Sequence, residues 1–214
     1  MILKLCGFTQ PEQASTAASL GATHVGVVLW AGSKRGVVDE DQAAAIFASV
    51  KHGGAQPVAV LVNSSDPVSL ALRLGAERVQ LHGDETPQVA VELRKAGLAV
   101  WRALRVGAHG VPRPVIDAWT DAGVDGFVLD ALVPGVPGGT GARVDEAVAS
   151  LFAQSYPTVL AGGLKPNNVA TAIHAVRPLG VDVASGIESS PGIKDSRLMH
   201  QFVTAARAAL QEKP

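Results

Sequence analysis

Cysteine is nearly absent from this 214-residue chain: Cys6 is the only one. No internal disulfide can form, which is compatible with a reducing cytosol and leaves the fold to its core. Aromatic residues make up only 4%, so a core drawn from the 47% hydrophobic fraction must be built of Val, Leu, Ile and Ala. Charge is scarce too, at 17% of residues with a net charge of −1. Without a basic stripe there is no electrostatic footprint for nucleic acid. No apolar run approaches the ~20 residues of a membrane span. The first residues, Met1 to Cys6, lack the apolar stretch and cleavage site of a signal peptide. These absences predict a cytoplasmic protein whose partner is a small molecule, with no membrane and no nucleic acid.

What is present is an alternation. Short apolar runs recur at Ile2–Cys6, His24–Leu29, Pro57–Val62, Arg78–His82, Ala99–Leu104, Gly126–Asp130, Thr158–Ala161 and Asp182–Ser185. Each is nearly continuous in hydrophobicity, as expected of parallel strands covered on both faces. Between them, Pro11–Leu20, Glu40–Val50, Pro67–Leu74, Thr86–Ala96, Val115–Ala122, Glu146–Phe152, Asn167–Val176 and Ser196–Leu210 carry Ala, Leu or Glu at helical spacing. Pro67 and Pro87 sit at early helical positions, and Gly21, Gly75, Gly97 and Gly123 stand where helices should stop. Eight strands alternating with eight helices predict an α/β chain folded as a (β/α)8 barrel, one domain over residues 1–214. An open doubly wound sheet usually has fewer strands and a Gly-rich first turn; here that turn is Cys6-Gly7-Phe8-Thr9. The irregular stretches Gly110–Pro114 and Pro134–Gly141 read as loops.

In such a barrel, chemistry sits at the C-terminal ends of the strands. Three Gly-rich ends fall there: Gly138-Gly139-Thr140-Gly141, Gly162-Gly163 and Ser185-Gly186. Any one pair alone reads more readily as a tight turn, but three at adjacent strands favour a phosphate, which needs backbone N–H groups with no Cβ in the way. Cys6 closes strand one and is either a small inert core residue or a base; the second role requires thiolate, hence a nearby cation. Gly7 opens space beside the thiol. Asp130 closes strand six, where a carboxylate is an ion-pair partner, a loop cap or a proton-transfer group. Arg35, in Ser33-Lys34-Arg35-Gly36, is a solvated charge or a clamp for a carboxylate. His82 binds substrate or simply finishes its strand. It has no His partner on neighbouring strand ends, which argues against a metal site.

Taken in order, the rim motifs resemble the phosphoribosylanthranilate isomerase family. The stretches that carry the likeness are Lys4-Leu5-Cys6-Gly7, Ser33-Lys34-Arg35, Gln80-Leu81-His82-Gly83, Leu129-Asp130 and Gly138-Gly139-Thr140-Gly141. They continue with Leu160 through Val169, Val181 through Glu188, and Gly192-Ile193-Lys194-Asp195. The resemblance implies an Amadori rearrangement of N-(5-phosphoribosyl)anthranilate without a cofactor. By position it makes Cys6 the base at ribose C2, Asp130 the acid at the ring oxygen and Arg35 the carboxylate clamp. His82 and Gly139, Gly141, Gly162, Gly163, Ser185 and Gly186 then bind substrate, the glycine loops taking its phosphate. The chain departs from the family at Lys34, where Pro is usual. It departs again at Ala142 through Glu146, which lacks an aromatic and an Asp-Trp pair, so weaker packing is expected at the start of helix six.

Other phosphosugar barrels fit less well. A ribulose-phosphate epimerase would want metal ligands where Trp30 and Asn63 stand, and an indoleglycerol-phosphate synthase would want lysines that strands three and five lack. A non-catalytic phosphate binder would not need both Cys6 and Asp130. Nothing specifies an interface, so monomer and homodimer stay open.

Overall fold

A computed structural model describes residues 1–107, 109–131 and 145–212. Its centre is a closed barrel of eight parallel strands in sequence order, β8 pairing back onto β1. The strands are β1 (Ile2–Cys6), β2 (His24–Leu29), β3 (Gln56–Leu61), β4 (Arg78–Leu81), β5 (Ala99–Val106), β6 (Gly126–Ala131), β7 (Thr158–Leu160) and β8 (Gly180–Val183). The helices are α1 (Pro11–Ser19), α2 (Glu40–His52), α3 (Pro67–Arg73), α4 (Pro87–Lys95), α5 (Arg113–Asp121), α6 (Glu146–Ser155), α7 (Val169–Val176) and α8 (Ser196–Gln211). No described helix is long and apolar enough to cross a membrane.

The strands' period of two sorts side chains into two cores. On β1, Leu3 and Leu5 point outward and pack with helix residues such as Ala14, Ala17 and Phe202. Ile2, Lys4 and Cys6 take the opposite parity and face the barrel interior, where Cys6 joins Val58, Val60, Ala103, Val128 and Val159. Toward the strand N-termini the interior is plugged. Trp101 lies 5.0 Å from the His24 ring, and the Arg78 guanidinium stacks 4.2 Å above the indole. Sequence-distant side chains therefore close one end and leave the other for a site.

Helix starts follow local chemistry. Asp39, Asp66, Asp145 and Asp195 each accept a hydrogen bond from a backbone N–H in the following turn, an N-cap of about 1 kcal/mol. Asp145 and Ala147 are exposed, and Ala149 is the first buried residue of α6.

Several expected boundaries move. β5 runs to Val106, which puts Arg105 inside the strand, and β6 runs one residue past Asp130. β8 ends at Val183, two residues before the expected end, because Ser185–Ile187 turns into a 3-10 helix. A small antiparallel hairpin that the sequence did not suggest follows: β9 (Glu188–Ser190) with β10 (Ile193–Lys194).

Candidate active site

At the strand C-termini the barrel opens into a cavity of about 950 Å³, counted out to its open mouth. Cys6, Arg35, His82, Asp130, Gly162, Gly163 and Ser185 all line it. The structure thus brings together seven of the ten residues singled out from the sequence. Gly139 and Gly141 lie outside the described residues. Gly186 stands just beyond the lining, where its α-carbon packs against the Leu164 carbonyl too closely for any Cβ.

Cys6 is buried at the end of β1. The space beside its sulfur comes from Gly26, its partner on β2. A Cβ on Gly26 would lie 2.7 Å from Cys6 Sγ and 3.2 Å from Lys4 Nζ. Gly7 does something else: at φ +78° it lets the Arg35 chain cross β1, where a Cβ would meet Arg35 Cδ at 2.7 Å. The expected opening beside the thiol is therefore made by Gly26, across the strand pair. Lys4 is fully buried below Cys6, and its Nζ donates to Asp182 Oδ2 at 2.7 Å. Burial alone would pull the Lys4 ammonium down, but Asp182 and Cys6 outweigh it and hold it above its ordinary value. Burial pushes the Cys6 thiol up, opposed chiefly by Lys4.

Arg35 rides on a turn in which Ser33 Oγ accepts from its backbone N–H at 3.1 Å, so the turn forms with Lys34 where Pro is usual. Its Nε and Nη2 donate to the two oxygens of Glu188, both at 2.7 Å. Glu188 in turn accepts from Lys194 Nζ at 2.7 Å, and that ammonium also donates to the Cys6 carbonyl at 2.6 Å and to the Ala184 carbonyl at 3.1 Å. Burial raises the Glu188 carboxyl, but Arg35 and Lys194 prevail and hold it below the usual carboxylate range. Arg35 is therefore not a loose surface charge. One edge of its guanidinium is spoken for, and Nη1 makes no hydrogen bond among the described residues.

On the far wall, His82 Nε2 stands 3.8 Å from Asp130 Oδ2. Burial, with the Lys4, Arg105 and Arg102 cations, lowers the His82 pKa to about 4, so the imidazole is neutral and the contact is no ion pair. Gln80 Nε2 lies 3.3 Å from His82 Nδ1. An amide nitrogen only donates, so Nδ1 accepts and Nε2 carries the proton. Gln80 Oε1 and Asp182 Oδ1 are buried in the cavity wall without a hydrogen-bond partner among the described residues, and such atoms usually have one. Gly162 and Gly163 take φ of +80° and +62°, a left-handed pair that side chains resist. Among the described residues, no group of three or more His, Cys, Asp or Glu could hold a metal.

Lys4, Gln80, Asp182, Glu188 and Lys194 were not picked out as site residues from the sequence. The signal for the first three was parity: each is a polar residue at an inward position of an apolar strand. Glu188 and Lys194 meet Arg35 only through the unforeseen hairpin.

A barrel closed at one end, with a thiol and a carboxylate in the walls of its open end, defines an enzyme built for proton transfer on a small molecule. Residues 3–205 match the family model for N-(5'phosphoribosyl)anthranilate (PRA) isomerase. Curated isomerases of that name from Trichlorobacter lovleyi and Hyphomonas neptunium are 39% and 40% identical, covering 97% and 98% of this chain and 98% of their own. The phosphoribosyl anthranilate isomerase structure from Thermotoga maritima superposes with a TM-score of 0.84 at 30% identity, over 97% of this chain and 100% of that one. A further structure of the Thermotoga enzyme describes it as dimeric. Another solved isomerase, 29% identical with a TM-score of 0.81 over 97% of this chain and 100% of its own, holds reduced 1-(o-carboxyphenylamino)-1-deoxyribulose 5-phosphate. This chain belongs to the N-(5'-phosphoribosyl)anthranilate isomerase family, and that isomerisation is its activity.

Proposed function

We propose that Cys6 is the general base and Asp130 the general acid of this isomerisation, a step of tryptophan biosynthesis. Asp130 gives a proton to the ribose ring oxygen as its bond to C1 breaks, and the nitrogen lone pair forms the C1=N iminium. Cys6, as thiolate, then takes the C2 proton, and the electrons of that C–H bond make the C1=C2 enolamine as the C1=N pair returns to nitrogen. Transfer of the C2 hydroxyl proton to C1 gives 1-(2-carboxyphenylamino)-1-deoxyribulose 5-phosphate. Proton exchange with solvent returns Cys6 to thiolate and Asp130 to the acid, and only protons have moved, so no cofactor takes part.

The observation that carries this reading is that Cys6 and Asp130 line one cavity from separate strands. Arg35 meets the anthranilate carboxylate through the edge that Glu188 leaves open. His82 offers its Nε2 proton, and Gln80 Oε1 and Asp182 Oδ1 accept from ribose hydroxyls. The Gly162-Gly163 turn, with Ser185, Gly186, Gly139 and Gly141, cradles the phosphate. The chain works in the cytoplasm as one barrel domain, as a monomer or a homodimer, and takes no nucleic acid or membrane as partner.

Loss of substrate fluorescence on conversion measures the reaction, and a pure binder would leave the signal unchanged. Cys6→Ser and Asp130→Asn should each lower kcat at least about a hundredfold, the scale of one general acid–base contribution. Near-normal kcat in either variant overturns that role.

A further inference from the structure

We propose that Lys4 is a positioning residue for catalysis: its ammonium, moored by Asp182 beneath the sulfur, holds Cys6 in the thiolate form that removes the proton. The inference rests on Cys6 being the base.

Three observations converge on it. First, Lys4 lies wholly inside the barrel with no exposed surface, a placement that is costly for a charge unless it is paired. Its in-register neighbour across the β1–β8 seam is Asp182, which supplies the pairing at 2.7 Å. A purely structural pair would be complete there. Second, Lys4 Nζ and Cys6 Sγ both come within 3.2 Å of the same point, the place a Cβ on Gly26 would occupy. Side chains from two successive inward positions of β1 thus share the space that one glycine of β2 leaves empty. Third, an ammonium has three protons, and Asp182 is its one hydrogen-bonded carboxylate. A thiolate is a further acceptor on this side of the ammonium, and a cation beside a thiol is the arrangement that activates cysteines.

The charges facing the sulfur from every packed element fit one account. Asp182 on β8 and burial both work against the thiolate, while Lys4 on β1 and Lys194 on β10 work for it. Arg35, on the loop after β2, feels the same anion. Lys194 has all three protons engaged by Glu188 and two carbonyls, and Arg35 spends two N–H groups on Glu188. Lys4, whose ammonium approaches the same point as the sulfur, keeps two protons beyond its bond to Asp182. A base so placed stays buried and therefore strong, while Lys4 offsets part of the cost that burial puts on its anion.

Because Cys6 is the only cysteine, thiolate absorbance near 240 nm, read against Cys6→Ser, follows this group alone. Lys4→Met, checked for folding by circular dichroism, should move the thiolate midpoint up by at least about one pH unit, a tenfold loss of thiolate at fixed pH. The acidic limb of kcat/KM should move by the same amount, with iodoacetamide alkylation slowed in step. Should Lys4→Met fail to fold, Lys4→Gln, whose amide keeps a donor for Asp182, carries the same expectation. An unmoved midpoint in a folded Lys4 variant overturns the proposal. If Cys6→Ser keeps full activity, the base assignment itself falls; if Cys6→Ser is inactive while the Lys4 midpoint is unmoved, only the role of Lys4 falls.

Discussion

Replacing Gly26 by Ala tests the seating of the thiol with one carbon atom. Gly26 lies in a regular strand whose backbone accepts any side chain, so the change acts only through space. The new Cβ would sit 2.7 Å from Cys6 Sγ, about 1 Å inside the usual separation of nonbonded heavy atoms. The flexible Lys4 ammonium, at 3.2 Å, can give by a few tenths of an ångström. The sulfur, on a short side chain at the end of a strand, must move by most of the ångström. A displacement of that size at a reacting atom costs on the order of a hundredfold in rate, and overpacking costs about 1–3 kcal/mol in stability. For a chain of this length that is a fall in Tm of roughly 2–12 °C. Steady-state kinetics by substrate fluorescence, with a thermal melt on the same sample, would show kcat down about a hundredfold. KM should change little, because Gly26 is not part of the cavity wall. A kcat within twofold of the parent protein would refute the idea that this empty volume seats the base.

Glu188→Gln leaves Arg35 and Lys194 without their shared carboxylate, so KM should rise several-fold, and a melt should show a loss of about 3 kcal/mol, the scale for one partner removed from a buried pair. Arg35→Ala should raise KM more than it lowers kcat; an equal penalty on a substrate lacking the carboxylate would exclude the clamp. Stability should also fall on the acid side. His24 and His82 have folded pKa values of about 4 against an unfolded value near 6.5. The unfolded chain therefore binds protons first; stability is whole above about pH 6.5 and declines as pH falls toward 4. The loss is about 1–2 kcal/mol per imidazole by pH 5. Denaturant titrations of His24→Gln and His82→Gln should show a flatter dependence through that window, and an unchanged slope would mean that the imidazoles are not held neutral.

The barrel was legible because its signal is repetitive: each strand reads as an apolar run, and each helix begins or ends on punctuation such as Asp66-Pro67 or Gly123. The rim was legible where one residue carries the signal, as with Cys6, Asp130 and the Gly162-Gly163 pair. What escaped was pairwise. Lys4 and Asp182 stand 178 positions apart, and only strand register makes them neighbours. Glu188 reaches Arg35 across 153 positions through a hairpin of two very short strands, below the length at which alternation can be read. Gly7 was misread for the same reason. A glycine announces empty space but not whose side chain will fill it.

The Lys4–Asp182 contact sits on the seam where the last strand meets the first, so the electrostatics of the thiol are set by ring closure. A chain collapsed around seven strands has the sulfur but not the moored ammonium, and its thiol should react like that of any unstructured peptide. During refolding, the time course of Cys6 alkylation is then a clock for joining the two edges of the sheet, to be read beside the gain of helix by circular dichroism. Competence for chemistry arrives with topology, because the ammonium is moored only where the sheet closes on itself.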